Sequence, residues 1–79
     1  MQRFPSDAPK QRVIKALESL GFQLRSEREH IAMIRSNPDG SSTALTIPNH
    51  DRLKASTLRT VCTRSGISRI DFLTAYDKT

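Results

Sequence analysis

Apolar residues recur at Val13, Ile14, Leu17 and Leu20, while Lys10, Arg12, Lys15 and Glu18 fall largely between them. Steps of three and four residues gather such positions into one stripe, so a helix is predicted over residues 8–20. The leader at residues 1–7 runs into Phe4-Pro5-Ser6-Asp7-Ala8-Pro9. Ser6 or Asp7 can cap there, and Pro9 suits a first turn. Gly21 closes the helix, because the left-handed position just past a helix end is cheapest for glycine.

After Gly21 the period shortens. Phe22-Gln23-Leu24-Arg25 alternates apolar and polar, which predicts a strand. Glu27-Arg28-Glu29 reads as a turn, and His30 to Arg35 as a second strand. Asn37-Pro38-Asp39-Gly40 is a stronger turn signal, in which proline sets φ, aspartate bonds locally and glycine takes a positive φ. Ser42 to Ile47 forms the third strand. Two short connections imply antiparallel neighbours, so residues 22–47 are predicted to be a three-stranded meander. Phe22, Leu24, Ile31, Met33, Leu45 and Ile47 are the expected core positions of the sheet, with His30, Ala32 and Ile34 on the other face.

Pro48-Asn49-His50-Asp51 leaves the sheet. Two helices follow within residues 55–77: one opened near Ser56, carrying Leu58, Val61 and Cys62 and stopped by Gly66, and a shorter one carrying Phe72, Leu73 and Tyr76. Ser68 can cap the second, Asp71 stands three residues on as in a capping box, and Ile67 can pack on Phe72 as a staple. No internal repeat or long linker divides residues 1–79, which are expected to form a single domain. The order α-β-β-β-α-α gives an α+β fold: a three-stranded antiparallel sheet with helices on one face and the other face wet.

Seventy-nine residues bury roughly 60% of their unfolded surface, enough for one modest core. That length excludes a large enzyme with a separate cofactor domain. Cys62 is alone, which excludes a disulfide scaffold. The opening MQRFPSDAPK has no apolar run of signal-peptide length, and nothing approaches the roughly 18 apolar residues of a membrane span. A soluble, cytoplasmic chain with no membrane partner is expected.

Thirteen Lys and Arg against eight Asp and Glu leave a net charge of +5, and nine of the thirteen are Arg. Arg52, Lys54, Arg59, Arg64 and Arg69 follow one another with no intervening acid. Such a run is the electrostatic footprint of a polyanion binder, or else a plain solvated basic surface. Phosphate-binding glycine loops and zinc-spaced Cys/His sets are absent from the sequence, and no cofactor is expected. Cys62 lies on an apolar stripe and reads as core.

His30 and His50 remain. Histidine is the side chain whose ordinary pKa, about 6.5, lets it give and take protons near neutrality. RNA carries its own nucleophile, the 2′-hydroxyl, so a ribonuclease needs only a base, an acid and cations for the phosphate. Arg28 stands beside His30, and Arg25 and Arg35 occupy nearby strand positions. On local sequence alone a lone histidine is a weak motif, and His30 reads first as an ordinary exposed histidine at a strand start. His50, in a loop, is the weaker of the two.

The motifs have a recognisable order: L-x-x-L-G-F at Leu17–Phe22, a turn ending in His30, P-D-G at Pro38–Gly40, I-P at Ile47-Pro48, T-L-R at Thr57–Arg59, and S-G-I-S at Ser65–Ser68 followed by Asp71-Phe72. This order resembles the HicA (YcfA-like) toxin family, from Val13 to Tyr76. The resemblance implies a fold similar to double-stranded-RNA-binding domains. It also implies a type II toxin, a metal-independent endoribonuclease that cleaves mRNA and is held inactive by a HicB-type antitoxin. The family's functional histidine falls on His30. Arg28, Lys54 and Arg59 are then the expected RNA-binding residues, and His50 a second proton carrier. The family usually has Gly-Ser or Gly-Thr where Arg28-Glu29 stand here, and often Gly where Ser56 stands.

Two noncatalytic readings compete. Leu58 to Tyr76 could be a DNA-binding helix-turn-helix around Gly66-Ile67-Ser68, although only Arg69 and Asp71 offer polar contacts at the start of its second helix. A double-stranded-RNA binder on the same fold would use basic residues at a helix N-terminus, where Lys54 and Arg59 could serve.

Overall fold

A computed structural model describes residues 3–79. The element order is β1 (Ala8–Pro9), α1 (Lys10–Ser19), β2 (Gln23–Glu27), β3 (His30–Ser36), β4 (Ser42–Pro48), β5 (Arg52–Leu53), α2 (Ala55–Ser65) and α3 (Arg69–Asp77). The meander pairs in the order β2-β3-β4, antiparallel throughout. The fold is therefore the expected α+β arrangement.

Local rules account for most of the punctuation. Gly21, Gly40 and Gly66 are the described residues with positive φ, and Gly66 caps α2 at φ 71°. Ser68 accepts the Asp71 amide at 3.0 Å, so α3 starts on a side-chain cap, with the Asp71 carboxylate in its first turn. Around Gly40, Asn37 accepts the Gly40 amide at 3.1 Å through its carbonyl. The Asp39 carboxylate accepts both the amide and the hydroxyl of Ser41, which lowers its pKa.

Alternation on the strands sorts the sheet into two faces. Ile31, Met33, Leu45 and Ile47 are buried and join Val13, Leu17, Phe22, Leu58, Phe72 and Leu73 in one core. On the opposite face His30 is exposed, while Ala32 and Ile34 are only half-buried. α2 packs on β4, and α1 packs on α3. Arg12 bolts the second contact: its guanidinium lies 3.9 Å from the centre of the Tyr76 ring and donates to the Tyr76 carbonyl at 2.9 Å.

The structure corrects two expectations. First, the helix begins at Lys10 and not at residue 8. Pro9, with φ −60° and ψ 132°, is still extended, and neither Ser6 nor Asp7 caps the helix. Ala8 and Pro9 instead pair with Leu53 and Arg52, a short ribbon that buries Ala8 and Leu53 fully or nearly so. Second, Leu24 is 43% exposed. It stands opposite Met33, but β2 is the edge strand farther from α2, which packs on the other edge strand β4, and all five positions of β2 are exposed. α2 opens at Ala55, beside Ser56 as the sequence indicates; its N-cap is Lys54, which makes no side-chain cap, and Ser56 lies inside the first turn.

One prediction follows from the start of α3. Ser68→Ala should lower stability by about 1 kcal/mol, which at this chain size is about 4–8 °C in Tm. Thermal unfolding followed by circular dichroism checks it, and an unchanged midpoint would show that the cap contributes nothing.

Candidate functional site

His30 opens β3, directly across from Pro48 at the end of β4. Because Ile31 points into the core, the side chain before it must point to the open face. α2 stands beside β4 and raises a wall along that edge. His30, Thr46 and Pro48 on the sheet side then share a groove of about 330 Å³ with Ser56, Thr57, Thr60 and Arg64 of the helix.

The wall has a polarity of its own. Ser56 and Thr57 belong to the first turn of α2, where backbone N–H groups lack helical partners and the helix dipole is positive. No acidic residue sits in that turn. The end of the groove nearest His30 is thus suited to an anion. About two helical turns along, Arg64 adds a full positive charge.

The turn that carries His30 is held from outside. The Asn49 side-chain amide donates to the Arg28 carbonyl at 2.6 Å, and the Asn49 backbone amide donates to the Glu29 carbonyl at 3.2 Å. The Lys10 ammonium donates to the Asn49 side-chain oxygen at 2.7 Å and lies 3.9 Å from the Glu27 carboxylate. Within the turn the Arg28 amide donates to the His30 carbonyl at 3.1 Å. Neither Arg28 nor Glu29 has a positive φ. Nothing in the turn's backbone therefore demands glycine, and Arg28-Glu29 fit without strain.

The expected site residues separate into groups. Arg28 is exposed in the turn beside His30, and Lys54 is exposed at the cap of α2, next to the groove's first-turn wall. Arg59 faces elsewhere: with Arg3, Phe4, Ser6, Ala55 and Arg69 it lines a separate groove of about 430 Å³. His50 is exposed in the loop after β4 and does not line the His30 groove. Arg64 was not singled out from the sequence, although Thr57, Thr60 and Arg64 recur at helical spacing alongside the Leu58, Val61, Cys62 stripe. Asn49 and Lys10 were likewise passed over, as a loop residue and a polar helix residue.

Cys62 is buried, and burial pushes its thiol up to about 11. It stays protonated near neutrality and is no nucleophile. Among the described residues no group of three or more His, Cys, Asp or Glu could hold a metal ion. No described helix is long and apolar enough to cross a membrane. α3 is anchored on α1 and exposes Ile70 at 68% near its start, where a groove-reading helix would present polar groups.

A family model described as HicA toxin of bacterial toxin-antitoxin matches residues 11–67. The match takes in His30, both walls of its groove and the whole of α2. No curated protein and no solved structure matches the chain significantly.

Two outcomes are expected from these contacts. Asn49→Ala removes one bond to the Arg28 carbonyl and one from the largely buried Lys10, so stability should fall by about 1–3 kcal/mol. Amide exchange at Arg28 to His30 should also quicken; unaltered exchange there would show that Asn49 does not hold the turn. Iodoacetamide at pH 8 should leave Cys62 unmodified in the folded chain and modify it fully in urea, as read by mass spectrometry.

Proposed function

The chain belongs to the HicA toxin family and is thus the toxin of a toxin-antitoxin system; from that premise we propose that it is an endoribonuclease of mRNA that acts through His30 without a metal. The observation that carries this reading is the groove, in which an exposed imidazole faces a helix start free of acidic residues and an arginine.

The chemistry asks little of the protein. The ribose 2′-oxygen bonds to the adjacent phosphorus, and the bond from phosphorus to the 5′-oxygen breaks. The products are a 2′,3′-cyclic phosphate and a free 5′-hydroxyl. One proton leaves the 2′-hydroxyl and one reaches the 5′-oxygen; His30 handles one of these transfers as general base or acid. Negative charge grows on the phosphate during the reaction. The α2 amides and Arg64 border the space where it would lie, so they stabilise that charge more than the ground state.

Arg28 and Lys54 flank the groove and take the neighbouring phosphates. Arg59 holds backbone further along, on the other side of α2. His50 is the second proton carrier only if the loop after β4 moves toward His30. A HicB-type antitoxin neutralises the toxin by covering the His30 groove, with acidic groups against Arg28, Lys54 and Arg64. The substrate places this activity in the cytoplasm.

His30→Ala should lower cleavage of single-stranded RNA by about 10²–10⁴. It should also abolish growth arrest while moving stability by no more than about 0.5 kcal/mol, since the side chain is exposed. A chelator should leave the wild-type rate unchanged. Undiminished cleavage by His30→Ala would overturn the assignment of the base, and loss of activity with chelator would overturn the metal-free mechanism. RNA binding without cleavage by the wild type would make this a noncatalytic RNA-binding module.

A further inference from the structure

α2 has a second flank. Ala55, Arg59 and Thr63 recur four residues apart, on a side of the helix that does not line the His30 groove. They border two hollows, of about 430 and 240 Å³, which share Phe4, Arg59 and Arg69 and so form one groove. Arg3 lines the larger hollow as well. Three arginines therefore meet one groove: one from the leader, one from α2 and one from the start of α3.

All three are exposed, and among the described residues none of them pairs with a carboxylate. Of the acids close by in sequence, Asp7 lies 3.9 Å from Arg52, and Asp71 lines a different hollow with Ser19 and Lys78. The leader that carries Arg3 is held. Ala8 and Pro9 pair with Leu53 and Arg52, and the Phe4 ring packs on Phe72 with centroids 5.9 Å apart. Phe4 is half-buried and borders both hollows, so part of its ring stays open to the groove. Arg3, Phe4 and Arg69 all lie outside residues 11–67, so the family likeness does not account for this arrangement.

We infer that this groove is an exosite for single-stranded RNA, which holds the stretch flanking the nucleotide cleaved at His30. The inference rests on the nuclease reading for the identity of the strand. Like charges gathered without a counter-charge attract an anion. Guanidinium forks match phosphate oxygens two at a time. An aromatic side chain in a basic groove adds a surface for a base, which favours a single strand over an acidic peptide. A duplex keeps its base faces stacked inside and cannot use Phe4 this way. Both grooves reach the first turn of α2: Ala55 borders one, Ser56 and Thr57 the other, and exposed Lys54 precedes them. A strand with its scissile phosphate at His30 crosses there, past Lys54, and continues over Arg59, Arg3 and Arg69.

The test uses a 2′-O-methylated dodecanucleotide of mixed sequence, which cannot be cleaved. Its binding to the full chain is read by fluorescence anisotropy over a range of salt. The double variant Arg3→Gln, Arg69→Gln removes two exposed, unpaired charges and should keep its circular dichroism and Tm. Its plot of log affinity against log salt should be shallower than wild type by roughly 1.4, since each phosphate contact on a single strand contributes about 0.7. Phe4→Leu keeps an apolar side chain against Phe72; it should weaken binding about fivefold or more and leave the slope unchanged. In cleavage of the unmodified strand, the double variant should raise KM and not alter kcat. An unchanged slope in the double variant would overturn the exosite. So would a double variant that keeps its RNA affinity yet loses affinity for decaglutamate, because the groove would then take an acidic protein segment. Cleavage and binding fail separately. A shallower slope with no cleavage by the wild type sinks the nuclease and leaves the groove an RNA site; cleavage with an unchanged slope does the reverse.

Discussion

The contact between the Lys10 ammonium and the Asn49 side chain, 2.7 Å long, ties together the segments on which His30 depends. Lys10 is the first residue of α1, and its own amide donates to the Asp51 carbonyl at 3.0 Å. Asn49 follows β4 and reaches the turn before β3 through two further bonds. Chain segments some forty residues apart in sequence thus fix one short turn. The Lys10–Glu27 pair at 3.9 Å is too exposed on the Glu27 side to add much, since such pairs are worth about 0–1 kcal/mol. Hydrogen bonding to neutral Asn49 does the positioning. The imidazole is free to face solvent because the backbone beneath it is not.

A second constraint shapes the groove. The sheet has one dry face and one wet face, and His30 lies on the wet one by alternation from Ile31. A flat wet face would hold a substrate poorly. α2 changes this by packing along β4 so that one of its stripes, Leu58, Val61 and Cys62, enters the core while Thr57, Thr60 and Arg64 rise beside the sheet edge. The residues that bury the helix also decide which of its cations can meet His30. Arg59, off that face, lies with Arg3 and Arg69 around Phe4.

What could be read in the sequence follows from this division between local and distant causes. Gly21, Gly66 and the Ser68–Asp71 cap depend on the conformation of a few neighbouring residues, and periodicity alone located the three long strands. The β1–β5 ribbon could not be read that way: it joins Ala8 to Leu53 across most of the chain and contains a proline that resembles a helix start. Leu24 looked like a core residue by alternation, and only the strand order shows that it lies at the border. His30 was legible because chemistry and position both pointed to it. Arg64 was not, because choosing it over Arg59 requires knowing which side of α2 meets β4. Asn49 and Lys10 carry no local signal, since their partners are far along the chain.

The outer strand β2 has one more effect. A border strand with free backbone groups invites a second sheet to dock edge to edge. Here the register slips between Leu24 and Ser26, leaving Arg25 without an opposite number. That irregularity bends the strand, and the charges of Arg25 and Glu27 stand along it. The margin is thereby a poor template for fibril-like stacking, and crowded copies of this chain are steered away from aggregation without any residue of the reaction groove being spent on the task.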